Sequence, residues 1–286
     1  MTSMTAANAL VELQQVLYES KNPTRRWLHT VRKEWIIDAL RRCARRRHAR
    51  ALEVGPGSGI YLPVLSHLYD EVTAIDIEDA YLNHANALTA KHPNLRLQVD
   101  DITDSSLPGS SFDLVLCTEV IEHIRDSAAA IAQMHRLLAP GGTLILSTPQ
   151  RYSTLELATR IAFLPGIVGL VRRIYREPIL EPGHVNSKTG RQIVRQLEDA
   201  GFRIRQRHSS GMYVPLLAEF LGETGLWLER WLELKLRGGR LNGLLWTQYY
   251  VAQGAKDGAG VDRDPKDGLL PVRCRHETVD CGAGIQ

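Results

Sequence analysis

The stretch Leu52-Glu53-Val54-Gly55-Pro56-Gly57-Ser58-Gly59 constrains this chain more than any other. A short apolar run breaks into three glycines at alternate positions and passes into Ile60-Tyr61-Leu62. A strand, a glycine turn and a helix start in succession make a cradle for the polar part of a nucleotide-like ligand. Glycine tolerates φ > 0 and lets ligand atoms approach bare backbone, while helix N–H groups point into the loop. The spacing is G-x-G-x-G, not the G-x-G-x-x-G of dinucleotide folds, and Glu53 stands two residues before the first glycine. A carboxylate there repels a pyrophosphate and can accept hydrogen bonds from a cationic amino-acid ligand. Glycine loops also serve as plain turns, so the residues downstream decide between the readings.

A second apolar run, Val72-Thr73-Ala74-Ile75-Asp76, ends in an acid 21 residues after Gly55. At the tip of the second strand of a doubly wound sheet, such an acid is placed to grip both hydroxyls of a ribose. A third run, Leu95 to Val99, ends in Asp100-Asp101-Ile102. An Asp there can accept from an adenine amino group, and Ile102 can cover the ring face. A fourth, Phe112 to Cys117, leads into Thr118-Glu119-Val120-Ile121-Glu122-His123-Ile124, and Thr143 to Thr148 reads as a fifth strand after Pro140-Gly141-Gly142. Each acid alone reads first as a helix cap or a solvated strand end. Their ordered recurrence after consecutive strands points to a site.

Residues 49 to about 150 resemble a class I S-adenosylmethionine-dependent methyltransferase through E-V-G-P-G-S-G, Asp76, Asp101 and L-L-A-P-G-G-T-L. The resemblance implies an α/β fold: a doubly wound, Rossmann-like, mostly parallel seven-stranded sheet with helices on both faces. It also implies the roles. Glu53, Gly55, Gly57 and Gly59 hold the methionine part of S-adenosylmethionine, Asp76 with the adjoining Ile77 the ribose, and Asp101 with Ile102 the adenine. Asp100 is the neighbouring alternative for the last role. E-V-I-E-H-I, S-T-P-Q-R-Y and the apolar insert that follows resemble the ubiquinone-biosynthesis O-methyltransferases over about residues 50 to 210.

Methyl transfer from a sulfonium is an in-line displacement that needs the acceptor held against the methyl carbon, water excluded and, often, a proton removed. The segment beyond strand four lies beside the methyl group in this fold, making Glu119, Glu122 and His123 the first candidates. If that segment is helical, the three share a face and can converge on one divalent cation, Mg²⁺ or Zn²⁺, which would lower the pKa of a coordinated phenol. The alternative needs no metal: Glu119 contacts the cofactor, Glu122 and His123 serve catalysis, and His123 faces the substrate or is a satisfied structural histidine. His184, closing the insert in Glu181-Pro182-Gly183-His184, reads either as a lid base or as a surface residue.

Three regions are expected: a helical N-terminal cap over 1–48, a methyltransferase domain over 49–253 and a disordered tail over 254–286. The cap reads as helices over 6–20 and 24–48, split near Asn22-Pro23, and Ser187 is expected to cap a helix through Ala200. With 286 residues and a net charge of +3, the whole chain gives no argument for nucleic acid, and strand four is not followed by an N/D-P-P-Y/F tetrapeptide. Charge is uneven, however, with eleven Lys or Arg between Lys21 and Arg50 against two acids. That reads as a solvated helical face or as attraction to anionic lipid or a phosphate-bearing substrate. The greasy, basic insert 151–186 is read as core packing or as a contact with membrane or lipid-like substrate. Four scattered cysteines lack metal spacing, and neither a signal peptide nor a run long enough to span a membrane is apparent. The expected setting is cytoplasmic, with peripheral contact at the inner face of an anionic membrane as the sharper version. The expected acceptor is a hydrophobic or lipid-linked small molecule, against a soluble sugar, a secondary metabolite or a non-catalytic cofactor-binding scaffold. Oligomeric state is not legible.

Overall fold

The computed structural model describes residues 18, 20, 22–44, 48–83, 85–162 and 186–254. A seven-stranded sheet runs in the order β3-β2-β1-β4-β5-β7-β6. Its strands are β1 (Arg50–Val54), β2 (Glu71–Asp76), β3 (Leu95–Val99), β4 (Phe112–Thr118), β5 (Leu138–Pro149), β6 (Phe202–Ser210) and β7 (Thr247–Gly254). β1 to β5 pair in parallel, and β7 is antiparallel to both β5 and β6. The doubly wound architecture read from the sequence is therefore present. Helices α1 (Pro23–Cys43), α2 (Leu62–Leu68), α3 (Asp79–Leu82), α4 (Asn86–Thr89), α5 (Ser127–Leu137), α6 (Thr154–Ala162), α7 (Gly190–Asp199), α8 (Leu217–Leu221) and α9 (Glu223–Leu236) connect or cover the strands.

The strands sort their side chains between two cores with the period of two that a pleated strand imposes. Leu52, Val54, Val115, Cys117, Leu144 and Leu146 enter one cluster with Ile131 and Met134 of α5 and with Ile193 and Leu197 of α7. Their neighbours Ala51, Leu114, Leu116 and Ile145 enter the other, with Trp35, Ile36 and Leu40 of α1 and with Leu62 and Leu65 of α2. Both faces of the central strands are covered, as near-continuous apolar runs require. α1 thus packs into the same core as the sheet.

Several boundaries differ from expectation for local reasons. α1 starts where Asn22 accepts from the Arg25 amide at 3.0 Å and Pro23 opens the first turn, and it ends at Cys43 rather than running to residue 48. α7 is capped by Thr189, not Ser187, because Thr189 and Gln192 form a reciprocal capping box. β5 begins at Leu138, before the glycine pair that reads as a turn. Within the insert, Thr154–Ala162 forms α6. Residues 163–185, the first expected helix apart from Tyr18 and Ser20, and the tail from 255 lie outside the described residues.

Candidate functional site

Strand order reverses between β1 and β4, and open α/β sheets receive ligands at such a point, beyond the carboxyl ends of the strands. Register lines up the sequence motifs along that edge. Val54 pairs with Ile75 and Cys117, Asp76 pairs with Val99, and Thr118 pairs with Ser147. The Gly55 N–H donates to the Ile75 carbonyl at 2.8 Å, and the Asp100 N–H to the Asp76 carbonyl at 3.0 Å. Gly55 has φ +66°, and a Cβ there would lie 2.5 Å from a Val120 methyl, so only glycine fits this turn.

Glu53 is the informative group of this edge. Its side chain is 1 % exposed, and neither carboxyl oxygen has a hydrogen-bond partner among the described residues. Burial pushes its pKa up to about 8. A buried carboxyl of this kind is held neutral until a cation or donor reaches it. The ammonium of a methionine moiety supplies both, so the residues present fit S-adenosylmethionine. Asp76 is half-buried, which raises its pKa, and it accepts weakly from the Glu78 amide at 3.4 Å. Ile77 beside it and Val99 on the next strand are exposed apolar side chains, 63 % and 51 %. Asp100 has both oxygens engaged, by the Ser105 hydroxyl at 2.6 Å and the Ser106 amide at 3.1 Å. The exposed Asp101 receives Thr103 through one oxygen only, which favours Asp101 over Asp100 as an outward acceptor.

Ile102 departs from its expected place. It is 5 % exposed and packs into the core with Ile75 and Cys117, so its side chain is committed inward and cannot cover a bound ring. Ile77 and Val99 are the apolar surfaces available at that edge.

A roof from α1 faces the glycine loop. Tyr18, His29, Arg32, Gly55, Pro56, Gly57, Ser58, Tyr61, Thr118 and Glu119 line one cavity. Arg32 pairs with Glu119 at 2.8 Å, and Glu119 also accepts from the Ser147 hydroxyl at 2.9 Å. Burial works against the charge of Arg32, but Glu119 and the surrounding tyrosine hydroxyls outweigh it and raise the pKa. Burial, then the charges of Arg32 and Arg25, push the His29 pKa well down, so the imidazole is neutral. Its Nδ1 lies 3.1 Å from an Arg32 nitrogen, and since guanidinium can only donate, Nε2 carries the proton. His29 as it stands is a donor.

The segment after β4 is not the α-helix that would stack Glu119, Glu122 and His123. Glu119 takes φ +56°, and only Ile121–His123 form a single 3-10 turn. Glu119 turns to Arg32 and Ser147. Glu122 is buried, its pKa well raised by burial and then by Glu119, and it accepts from Thr148 at 2.9 Å. His123 is exposed. No group of three His, Cys, Asp or Glu side chains able to hold a metal assembles among the described residues, so this donor set does not fit the expected cation. Of the three, only Glu119 lines the cavity, and His184 lies outside the described residues.

The sequence reading overlooked Tyr18, His29 and Arg32. One signal was available: Leu28, Arg32 and Ile36 are spaced four apart, so Arg32 interrupts an apolar stripe. A cation at such a position must find a buried partner. A second hollow, about 550 Å³, lies further along the same sheet edge, between Gln150, Arg207, Asn242 and Tyr250. None of the expected site residues among the described ones lines it.

Residues 27–207 match the model of the methyltransferase domain family. The chain is 29 % identical over 175 residues to a probable S-adenosylmethionine-dependent methyltransferase of Mycolicibacterium smegmatis, covering 60 % of this chain and 59 % of that protein. It is 36 % identical over 124 residues to a ubiquinone biosynthesis O-methyltransferase of Xanthomonas campestris, covering 42 % of this chain and 48 % of that protein. The chain thus spans about half the length of these curated relatives. In fold it is similar to the N-methyltransferase NodS of Bradyrhizobium japonicum, solved with S-adenosyl-L-homocysteine: TM-score 0.54, 16 % identity, 90 % of this chain and 100 % of that one. With a family model matching more than half its length, the chain belongs to the methyltransferase domain family.

Proposed function

We propose that the protein transfers the methyl group of S-adenosylmethionine to an oxygen of a hydrophobic or lipid-linked small molecule, phenolic in type. The observation that carries the donor half is the buried, partnerless carboxyl of Glu53 at the mouth of the glycine loop. In this reading the methionine end lies between Glu53, which takes the ammonium, and Arg32, which takes the carboxylate across the cavity. Asp76 holds the ribose and Asp101 the adenine amino group. Bound S-adenosylmethionine supplies the electrophilic methyl.

The acceptor half follows from which groups remain. His29, through Nε2–H, and the Tyr18 hydroxyl line the cavity beside Thr118 and can donate to an acceptor oxygen. Both orient the nucleophile and favour its anionic form in a poorly solvated space. His123, exposed just beyond Glu119, is assigned removal of the acceptor proton, and the preceding Glu122 is held in place by the Thr148 hydroxyl. The relative named for ubiquinone biosynthesis supports an aromatic hydroxyl as acceptor.

Methyl-labelled S-adenosylmethionine, incubated with the protein and either a prenylated catechol or a soluble sugar panel, tests this reading. Label is expected in the organic phase with the catechol. Label transferred only to water-soluble acceptors would refute the acceptor class. His123→Ala is expected to lower kcat by on the order of a hundredfold, whereas His29→Ala mainly raises the acceptor KM.

A further inference from the structure

Helix α9 carries two of its acids and its tryptophans on the wrong sides for a solvated helix. Glu229 and Glu233 point inward, 0 % and 3 % exposed. Glu229 accepts from the Val214 amide at 2.8 Å and from the Thr24 hydroxyl, and Glu233 from the Gly211 and Met212 amides at 2.6 and 3.3 Å. Trp227, Trp231 and Leu234, spaced four and three apart on the opposite face, are 65 %, 44 % and 52 % exposed. Phe220 and Leu221 on the adjoining α8 add 75 % and 53 %. An apolar face this continuous on a monomer marks a contact surface.

We propose that this face of α8 and α9 docks on the surface of an anionic lipid bilayer. Charge selects that occupant. The cations Arg230 and Lys235 lie among the tryptophans, with the Lys235 ammonium 5.8 Å from the Trp231 ring. Of the helix's three acids, two are folded inward, and the third, Glu223, lies 3.8 Å from Arg26. Tryptophan beside Lys and Arg is the composition of a helix lying in the lipid headgroup layer. No helix among the described residues is long and apolar enough to cross a membrane, so the contact is superficial. Position gives it a use. Glu229 is bonded to Thr24 of α1, and the Arg230 guanidinium lies 5.6 Å over the Trp27 ring, on the helix whose His29 and Arg32 roof the cavity. Docking there presents a lipid-linked acceptor to that roof, and only this use rests on the proposed activity.

The full chain sedimented with phosphatidylglycerol or phosphatidylcholine vesicles decides the matter. Wild type is expected to pellet with phosphatidylglycerol vesicles, with indole emission shifted to the blue. Trp227→Ser/Trp231→Ser should lower partitioning about tenfold, with Tm and S-adenosylmethionine binding unchanged. Arg230→Gln/Lys235→Gln should lose the preference for the anionic lipid. Wild type staying in the supernatant with both vesicles overturns the proposal, as does equal partitioning of wild type and the tryptophan variant. A concentration-dependent dimer abolished by the tryptophan variant would assign the face to a second copy and overturn it too. Vesicle binding without S-adenosylmethionine binding would sink the proposed activity and leave this surface standing; the reverse sinks the surface alone.

Discussion

Glu53 on β1 and the pair Glu229 and Glu233 on α9 are equally buried carboxyl groups with opposite surroundings. The α9 pair is answered by backbone amides at Gly211, Met212 and Val214, by Thr24 and by Arg237. Glu53 has no hydrogen-bond partner for either oxygen among the described residues. Buried polar groups in folded proteins are nearly always hydrogen-bonded, so the answered carboxylates are scaffold and the unanswered one is a site. The α9 acids pin the helix across the chain leaving β6 and so hold its tryptophan face outward. Glu53 is kept open at a cost in stability that a ligand can recover.

That contrast breaks first at Glu229. Glu229→Ala leaves the Val214 amide and Thr24 hydroxyl unanswered and should cost about 3 kcal/mol in denaturant unfolding. A loss below about 1 kcal/mol would mean that α9 is not held by its acids. Glu53→Gln should act in the opposite direction and depend on pH. In the folded protein Glu53 keeps its proton to about pH 8, whereas its ordinary value is 4.5. Between those values the folded state binds the extra proton, so stability falls as pH rises and levels off above about pH 8. The Gln variant should lack this decline and be more stable than wild type at pH 9 by on the order of 3 kcal/mol. Parallel pH profiles for the two proteins would contradict the open-carboxyl account. Gly55→Ala comes next, at about 2 kcal/mol from the positive φ and the Val120 overlap, with cofactor affinity falling alongside stability.

The placement of the proposed donor residues was legible because they sit at ends of consecutive strands, where local pattern fixes position. Glu53, Gly55, Asp76 and Asp101 all fall on the one sheet edge that the strand order requires. Ile102 did not follow, since position after a strand end says nothing about which way a side chain turns. The roof was illegible for a different reason. Tyr18, before α1, and His29 and Arg32 on it reach the cavity from a part of the chain that precedes β1, through pairings over 87 residues such as Arg32 with Glu119. Ten basic residues before β1 read equally as a solvated face or a contact with anions, and only packing distinguishes the largely buried Arg32 from the others. The i, i+3, i+4 spacing of Glu119, Glu122 and His123 misled because a left-handed residue at Glu119 breaks the helix that the spacing presumes.

Titration calorimetry of S-adenosylmethionine into the full chain at pH 7, in buffers of different ionisation enthalpy, tests the central claim most directly. If Glu53 waits protonated for the cofactor's ammonium, binding must release close to one proton, and the observed heat must vary linearly with buffer enthalpy. Affinity should also tighten as pH rises toward 8, and Glu53→Gln should lose both the proton release and roughly a hundredfold in Kd. Heat independent of buffer, with Glu53→Gln binding as tightly as wild type, would contradict the account.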